Sequence, residues 1–316
     1  MKPLVFLFCL TLPLVAQHSL KSSLTFHASF DSSLNADFSK GSKDCVIKKG
    51  KEFAPCVPNE DVQVVASGGK FGGCLHFPKK GVTRPQFSGV DVIGYNSRSW
   101  SATVSVWLRL TPDEDLEPGY CDPVQITGDD SKKGFIFLEF SKDETPRFFR
   151  YAIRPLFHIW NPTNVQWADI PFEKRPMVQV AKPSFSRDAW THVLFTLDKV
   201  NDKAAKPSGS LYLNGKSQGR IQNWDLSFDW DPASVALVLG ASYVGHLDDL
   251  AVFDLALSKA EVEQVLHTGQ RHQKSALRGP RSPFGQNHPQ NFRLRQCLLT
   301  TNNQCKVNLQ PCWALA

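Results

Sequence analysis

Ser210-Leu-Tyr-Leu-Asn-Gly215 is the stretch on which the fold turns. Leu211-Tyr212-Leu213 runs straight into Asn214-Gly215, two residues that accept positive φ, and this predicts a tight β-hairpin. Upstream, residues 190–198 alternate Thr191, Val193, Phe195 and Leu197 with His192, Leu194, Thr196 and Asp198. Residues 103–110 do the same, with Val104, Val106, Leu108 and Leu110 on one face and Ser105, Trp107 and Arg109 on the other. Period-two alternation of this kind places one side of a strand on a core. Residues 134–140 form a more continuous apolar run, as in a strand covered on both faces. Downstream, residues 235–239 and 247–253 read as a second strand pair. Strands this short, separated by turn residues, predict an all-β sandwich or barrel.

One helix stands out. Ser258-Lys-Ala-Glu261 is a capping box, after which Val262, Val265 and Leu266 fall on one face and Gly269 suits the end. Residues 143–189 are rich in aromatics and prolines and read as an insertion with strands whose limits are not sharp.

The chain has 316 residues, 41% of them hydrophobic, with 22 Phe and 8 Trp, enough for a sizeable core. Residues 270–316 carry seven Lys/Arg and no acid, so of the formal +6 the remaining residues hold −1. The basic balance therefore describes a tail without periodicity, and its composition predicts disorder. Residues 1–16 combine Lys2, the apolar run 4–12 and Ala16, the pattern of a secretory signal peptide. No later segment is apolar enough to span a bilayer.

Export, to the medium, the periplasm or the cell surface, exposes cysteines to oxidation. Cys45, Cys56, Cys74 and Cys121 lie in the body of the chain, and four cysteines allow three connectivities. Cys45–Cys56, close enough to staple one loop, with Cys74–Cys121 is the pairing expected. No Cys-x-x-Cys pair exists, which argues against a zinc cluster.

Taken in order, several segments resemble those of laminin-G-like jelly rolls. Leu24-Thr-Phe-His-Ala-Ser-Phe-Asp31 is similar to their opening strand, and Phe71-Gly-Gly-Cys-Leu-His-Phe77 to their Gly-x-x-Leu-x-Phe strand. The Trp107 strand, Trp190-Thr-His-Val193 and Ser210-Leu-Tyr-Leu-Asn-Gly215 follow in the family's order. Gly245-His-Leu-Asp-Asp-Leu-Ala-Val-Phe253 with Leu257-Ser-Lys-Ala-Glu261 resembles the closing strand and helix. The resemblance spans residues 23–269. It implies a concanavalin A-like, two-sheet antiparallel jelly roll of twelve to fourteen strands, one sheet concave. It also implies a structural calcium ion, matched here to Asp31, the Gly73 carbonyl and Asp248, since calcium wants hard oxygen donors.

Enzymes of this fold carry Glu-x-Asp-x-x-Glu on one strand, two glutamates serving as nucleophile and acid/base. Glu139 and Glu144 have that spacing, but Ser141 stands where the aspartate is needed. The turn-like 142–146 also carries Glu144 off the strand. The chain therefore reads as a binding module rather than an enzyme, its partner a carbohydrate or an extracellular protein. A polysaccharide hydrolase or lyase is the alternative, and a purely structural surface domain the second. For sugar stacking, Trp160, Trp167, Trp224 and Trp230 fall in predicted loops, the last two flanking Asp225 and Asp229. Nothing in the pattern suggests nucleic acid as a partner.

Overall fold

The structure, a computed structural model, describes residues 20–50 and 52–276. The expected signal peptide at 1–16 and nearly all of the expected tail lie outside those residues. Within them, seventeen strands form two antiparallel sheets, more than the resemblance implies because several are two to four residues long. The nine-stranded sheet contains β1 (Leu24–Ala28), β2 (Phe38–Ser39), β5 (Gln63–Val65), β6 (Cys74–Phe77), β8 (Trp100–Arg109), β13 (Thr191–Val200), β14 (Ser208–Leu213), β15 (Lys216–Ile221) and β17 (Gly245–Phe253). Its main path runs β15-β14-β13-β8-β17-β1-β2, with β6 also on β17. The eight-stranded sheet contains β3 (Val46–Lys49), β4 (Glu52–Pro55), β7 (Gln86–Ser88), β9 (Cys121–Thr127), β10 (Phe135–Phe140), β11 (Phe149–Arg154), β12 (Met177–Val180) and β16 (Ala236–Ala241). Its order is β12-β11-β10-β9-β16-β7-β3-β4.

The alternation read from the sequence sets which faces meet. Val104, Val106, Leu108, Val193, Phe195 and Leu197 all point into the space between the sheets and are fully buried. From the other sheet Ile136, Leu138, Phe149, Tyr151 and Leu237 meet them. Tyr151 is wholly enclosed, and its hydroxyl donates to the Thr196 carbonyl at 2.8 Å, tying the two sheets together. Asn214 and Gly215, with φ of 48° and 76°, make the β14–β15 turn, the two successive positive values that an Asn-Gly hairpin needs.

The helices are α1 (Pro112–Asp115), α2 (Phe157–Trp160) and α3 (Lys259–Ala276). The capping box forms as expected: Glu261 Oε2 accepts from the Ser258 amide at 2.8 Å. Leu194, Ala251 and Phe253 point outward from the nine-stranded sheet, and Leu257 and Val262 of the closing segment cover them. No helix among the described residues is long and apolar enough to cross a membrane.

Two expectations need correcting. Residues 235–239 and 247–253 are not a pair: β16 joins β7 and β9 while β17 joins β1, β6 and β8, so the chain changes sheets between them. Gly240 and Ser242, both at positive φ, carry that corner. Gly269 does not end the last helix, which runs on to Ala276. The cysteines of the expected pairs Cys45–Cys56 and Cys74–Cys121 are all buried and stand as thiols in the structure. Cys74 neighbours Asp248 and Arg109, Cys121 contacts the Glu117 and Gly119 carbonyls, and both interact with the buried Tyr243. Cys45 and Cys56 do lie opposite each other, the Cys56 amide donating to the Cys45 carbonyl at 2.9 Å.

Candidate functional site

Strand β11 supplies the site. Phe149, Tyr151 and Ile153 point into the core, which leaves Arg150, Ala152 and Arg154 on the outer face of the eight-stranded sheet. Cross-strand register sets their neighbours: Glu139 and Gln179 flank Arg150, and Phe135 lies opposite Arg154.

Arg150 is nearly inaccessible and binds three side chains. It donates to Glu139 Oε1 at 3.0 Å, to Glu144 Oε1 at 2.9 Å and to Gln179 Oε1 at 2.8 Å. Burial raises the Glu139 carboxyl above its ordinary value, against the opposing pull of Arg150. Next to it, Asp122 of β9 is pushed up to about 7 by burial and by the Glu139 charge. Gln125 Nε2 holds Asp122 Oδ2 at 2.6 Å, while Asp122 Oδ1 has no partner.

Arg154 sits among rings. Its guanidinium carbon lies 3.9 Å from the centroid of Trp167, 4.9 Å from Trp160 and 4.7 Å from Phe137. Burial lowers it to about 10, so it stays charged at neutral pH. Trp160 and Trp167 come from the segment 155–176, which crosses this face and brings their rings to 5.6 Å from each other. Arg175 stacks on Trp167 from another side at 4.5 Å.

Beyond Gln125 the same face opens into a cleft of about 650 Å³, roofed on one side by the β3–β4 hairpin. Lys48, Lys49, Arg84, Gln86 and Thr127 line it with Gln125.

The candidates from the sequence fare unevenly. Trp160 and Trp167 are half-buried on this face. Trp230 is not a ligand contact: it is core, with its indole donating to the Gly134 carbonyl at 2.9 Å and its ring against Phe228 and Tyr95. Trp224 packs half-buried against the core cluster. Glu139 and Glu144 do converge, but on the one guanidinium of Arg150, which pairs with both. Ser141 is buried, its hydroxyl accepting from the Phe148 amide at 2.8 Å. Asp122, Arg150 and Arg154 were missed. The alternation Phe149-Arg-Tyr-Ala-Ile-Arg154 is their signal, a strand with two arginines on its outer side.

Asp31, Gly73 and Asp248 gather about the loop 68–73. Asp31 Oδ1 accepts from the Gly73 amide at 2.7 Å, and Asp248 Oδ2 from those of Lys70 and Phe71 at 2.5 and 3.2 Å. A Cβ built on Gly69 would lie 1.8 Å from the Gly73 carbonyl oxygen and 2.9 Å from Asp248 Oδ2, so glycine there keeps a cradle of oxygens open. Two carboxylates and a carbonyl about one loop suit calcium. No cluster of three or more His, Cys, Asp and Glu side chains arranged for a metal occurs among the described residues.

Comparison with solved structures recovers the same architecture. The receptor-binding domain of botulinum neurotoxin C/D mosaic serotype superposes with a TM-score of 0.52 at 11% identity, over 78% of this chain and 52% of that one. The serotype D ligand-binding domain in complex with N-acetylneuraminic acid gives 0.46 at 13% identity, over 80% and 52%. Domain 4 of AbnA, a GH43 extracellular arabinanase from Geobacillus stearothermophilus, in complex with arabinotriose, gives 0.37 at 15% identity, over 77% and 98%. The chain thus spans about half the length of the toxin domains, and the first likeness, at 11% identity, speaks for the fold alone. No curated protein matches the chain. Residues 88–263 match the laminin-G-type profile of the concanavalin A-like lectin/glucanases superfamily, and with its two-sheet sandwich the chain belongs to that superfamily.

Proposed function

We propose that the chain is an exported, non-catalytic binding module that takes carbohydrate, or another extracellular macromolecule, on the outer face of the eight-stranded sheet. One observation carries this reading. Six buried side-chain polar atoms among the described residues have no partner, and four of them (Asp122 Oδ1, Arg154 Nε, Trp160 Nε1 and Trp167 Nε1) gather on that face. Orphaned polar atoms are costly, and a cluster of them beside half-buried indoles marks a face suited to a hydroxylated ligand packed against the indole edges. A fold shared with a toxin's receptor-binding domain is in keeping with this.

A glycan array, followed by calorimetry on the best binder, tests it. Trp160→Ala and Trp167→Ala are each expected to weaken binding by ~30-fold, the scale of a tryptophan hot spot. Unchanged binding in both would remove this face from the reading, and binding of no glycan would favour a structural or protein-binding domain. The hydrolase alternative requires turnover of β-glucans or galactans abolished by Glu139→Gln. The Arg150 clamp on both glutamates speaks against it.

Export carries its own test. Mass spectrometry of protein recovered from the medium should find a chain beginning near Gln17. In that oxidising setting the facing thiols of Cys45 and Cys56 should have lost two hydrogens to the medium's oxidant as they close a disulfide. A retained N-terminus with both thiols alkylatable would refute both points.

Calcium is proposed at Asp31, the Gly73 carbonyl and Asp248. At a hundredfold excess over its Kd the ion should add about 2.7 kcal/mol to the native state, seen as a raised Tm. An unmoved Tm, or one that moves equally in Asp248→Asn, sinks the assignment.

A further inference from the structure

We infer that the cleft between the β3–β4 hairpin and strands β7, β16 and β9 receives the anionic substituent of an acidic saccharide, a carboxylate or sulfate ester carried on a sugar ring. The inference rests on the binding reading above and narrows it to a ligand class.

Three features of the cleft point there. Its volume of about 650 Å³ lies within the range of small-ligand sites, roughly 300–1,000 Å³. Its charged lining is all of one sign: Lys48, Lys49 and Arg84 face it, and no Asp or Glu does. Some surface cations are paired with carboxylates, as Lys40 is with Asp254 at 2.9 Å, Lys79 with Glu60 at 2.9 Å and Lys203 with Asp225 at 3.2 Å. Among the described residues the three cleft cations have no such ion pair. Like charges gathered around a cavity repel one another in the free protein, and an incoming anion relieves that repulsion. Arg84 adds the planar donor fork that suits carboxylate and sulfate oxygens.

The floor explains why the anion would be carried by a sugar. Gln86, Val238 and Gln125 stand side by side across β7, β16 and β9, held by sheet register rather than by loops. With Thr127 they offer amide and hydroxyl groups at fixed spacing, which is what ring hydroxyls need. Gln125 also hydrogen-bonds Asp122, which interacts electrostatically with Arg154, so the cleft floor adjoins the face that carries Arg154, Trp160 and Trp167. Asp122 is the acid that approaches Arg84, and burial leaves it partly neutral near pH 7, which blunts its competition for that cation. A ligand can therefore lay its rings along one face with its acidic group in the cleft.

Calorimetry on the full chain tests the inference with three hexasaccharides of one ring type: neutral galactose, galacturonate and sulfated galactose. The acidic hexamers are expected to bind ~30-fold more tightly than the neutral one, each charged contact at a wet surface contributing a factor of a few. Their binding should weaken with salt, and the tighter of the two tells carboxylate from sulfate. Lys48→Ala/Lys49→Ala/Arg84→Ala should remove that advantage and leave neutral binding and Tm unchanged. Equal affinity for neutral and acidic hexamers, or a triple variant without effect, overturns the inference. If Trp160→Ala still lowers binding in that case, the binding face itself stands. Polyphosphate of matching charge binding as tightly as the hexamers also overturns it, since charge alone would then suffice. Binding of none of the three overturns this inference and the reading beneath it together.

Discussion

Arg150→Ala is expected to cost the fold about 3–5 kcal/mol, the usual penalty for breaking a buried ion pair from one side. The side chain of Arg150 is 5% exposed and that of Glu139 6%, and the guanidinium also holds Glu144 and Gln179. Removing it leaves the Glu139 carboxylate buried, beside Asp122, with no directly bonded cation. Urea denaturation measures the loss as a lower midpoint at constant slope. A loss below about 1 kcal/mol would mean that water reaches Glu139 freely, contrary to the burial seen here. The double variant Arg150→Met/Glu139→Leu should recover most of the loss, because an apolar pair of similar volume carries no desolvation cost.

Trp230→Ala should be as severe, about 3–5 kcal/mol, the range for emptying an aromatic site in a core. Its ring lies 4.7 Å from that of Phe228 and 6.1 Å from that of Trp100. Gly128 lacks a side chain where a Cβ would come within 2.5 Å of the indole, so the surroundings are shaped to this ring. The Gly134 carbonyl would lose its donor as well, an added cost of about 1 kcal/mol or more. Trp160→Ala, on the half-exposed face, should lose far less stability. Thermal or urea melts of the two variants side by side decide the matter. Equal losses would contradict the division of labour drawn here, in which one tryptophan builds and the other binds.

The fold was legible because β-structure writes itself in pairs of residues. Alternation at 103–110 and 190–198, the Asn-Gly turn and the capping box each follow from local geometry, and each is found in place. The site was less legible because register across strands assembles it. Nothing near Arg150 in sequence says that Glu139 and Gln179 will stand on either side of it. The misreading of Trp230 has a local cause: Asp225 and Asp229 made its surroundings look wet. Asp225 in fact serves Lys203 and Ser227, while the Trp230 indole turns inward. Glu144 was read as leaving its strand, and it does, but the loop returns it to Arg150.

The place of β17 has a consequence for how the protein is made. This strand, near the end of the described chain, lies between β8 and β1 and also pairs with β6, so Leu24 waits for Phe253 as its partner. On the ribosome the nine-stranded sheet stays in three pieces, β15-β14-β13-β8, β1-β2 and β5-β6, until residues 245–253 have emerged. Until then β1 and β8 offer open edges to whatever strand is near. Pairings this distant in sequence form slowly, since the loop between them must be closed before any contact rewards it. Assembly of the nine-stranded sheet thus waits for β17, and the chain is most exposed to aggregation before that strand emerges.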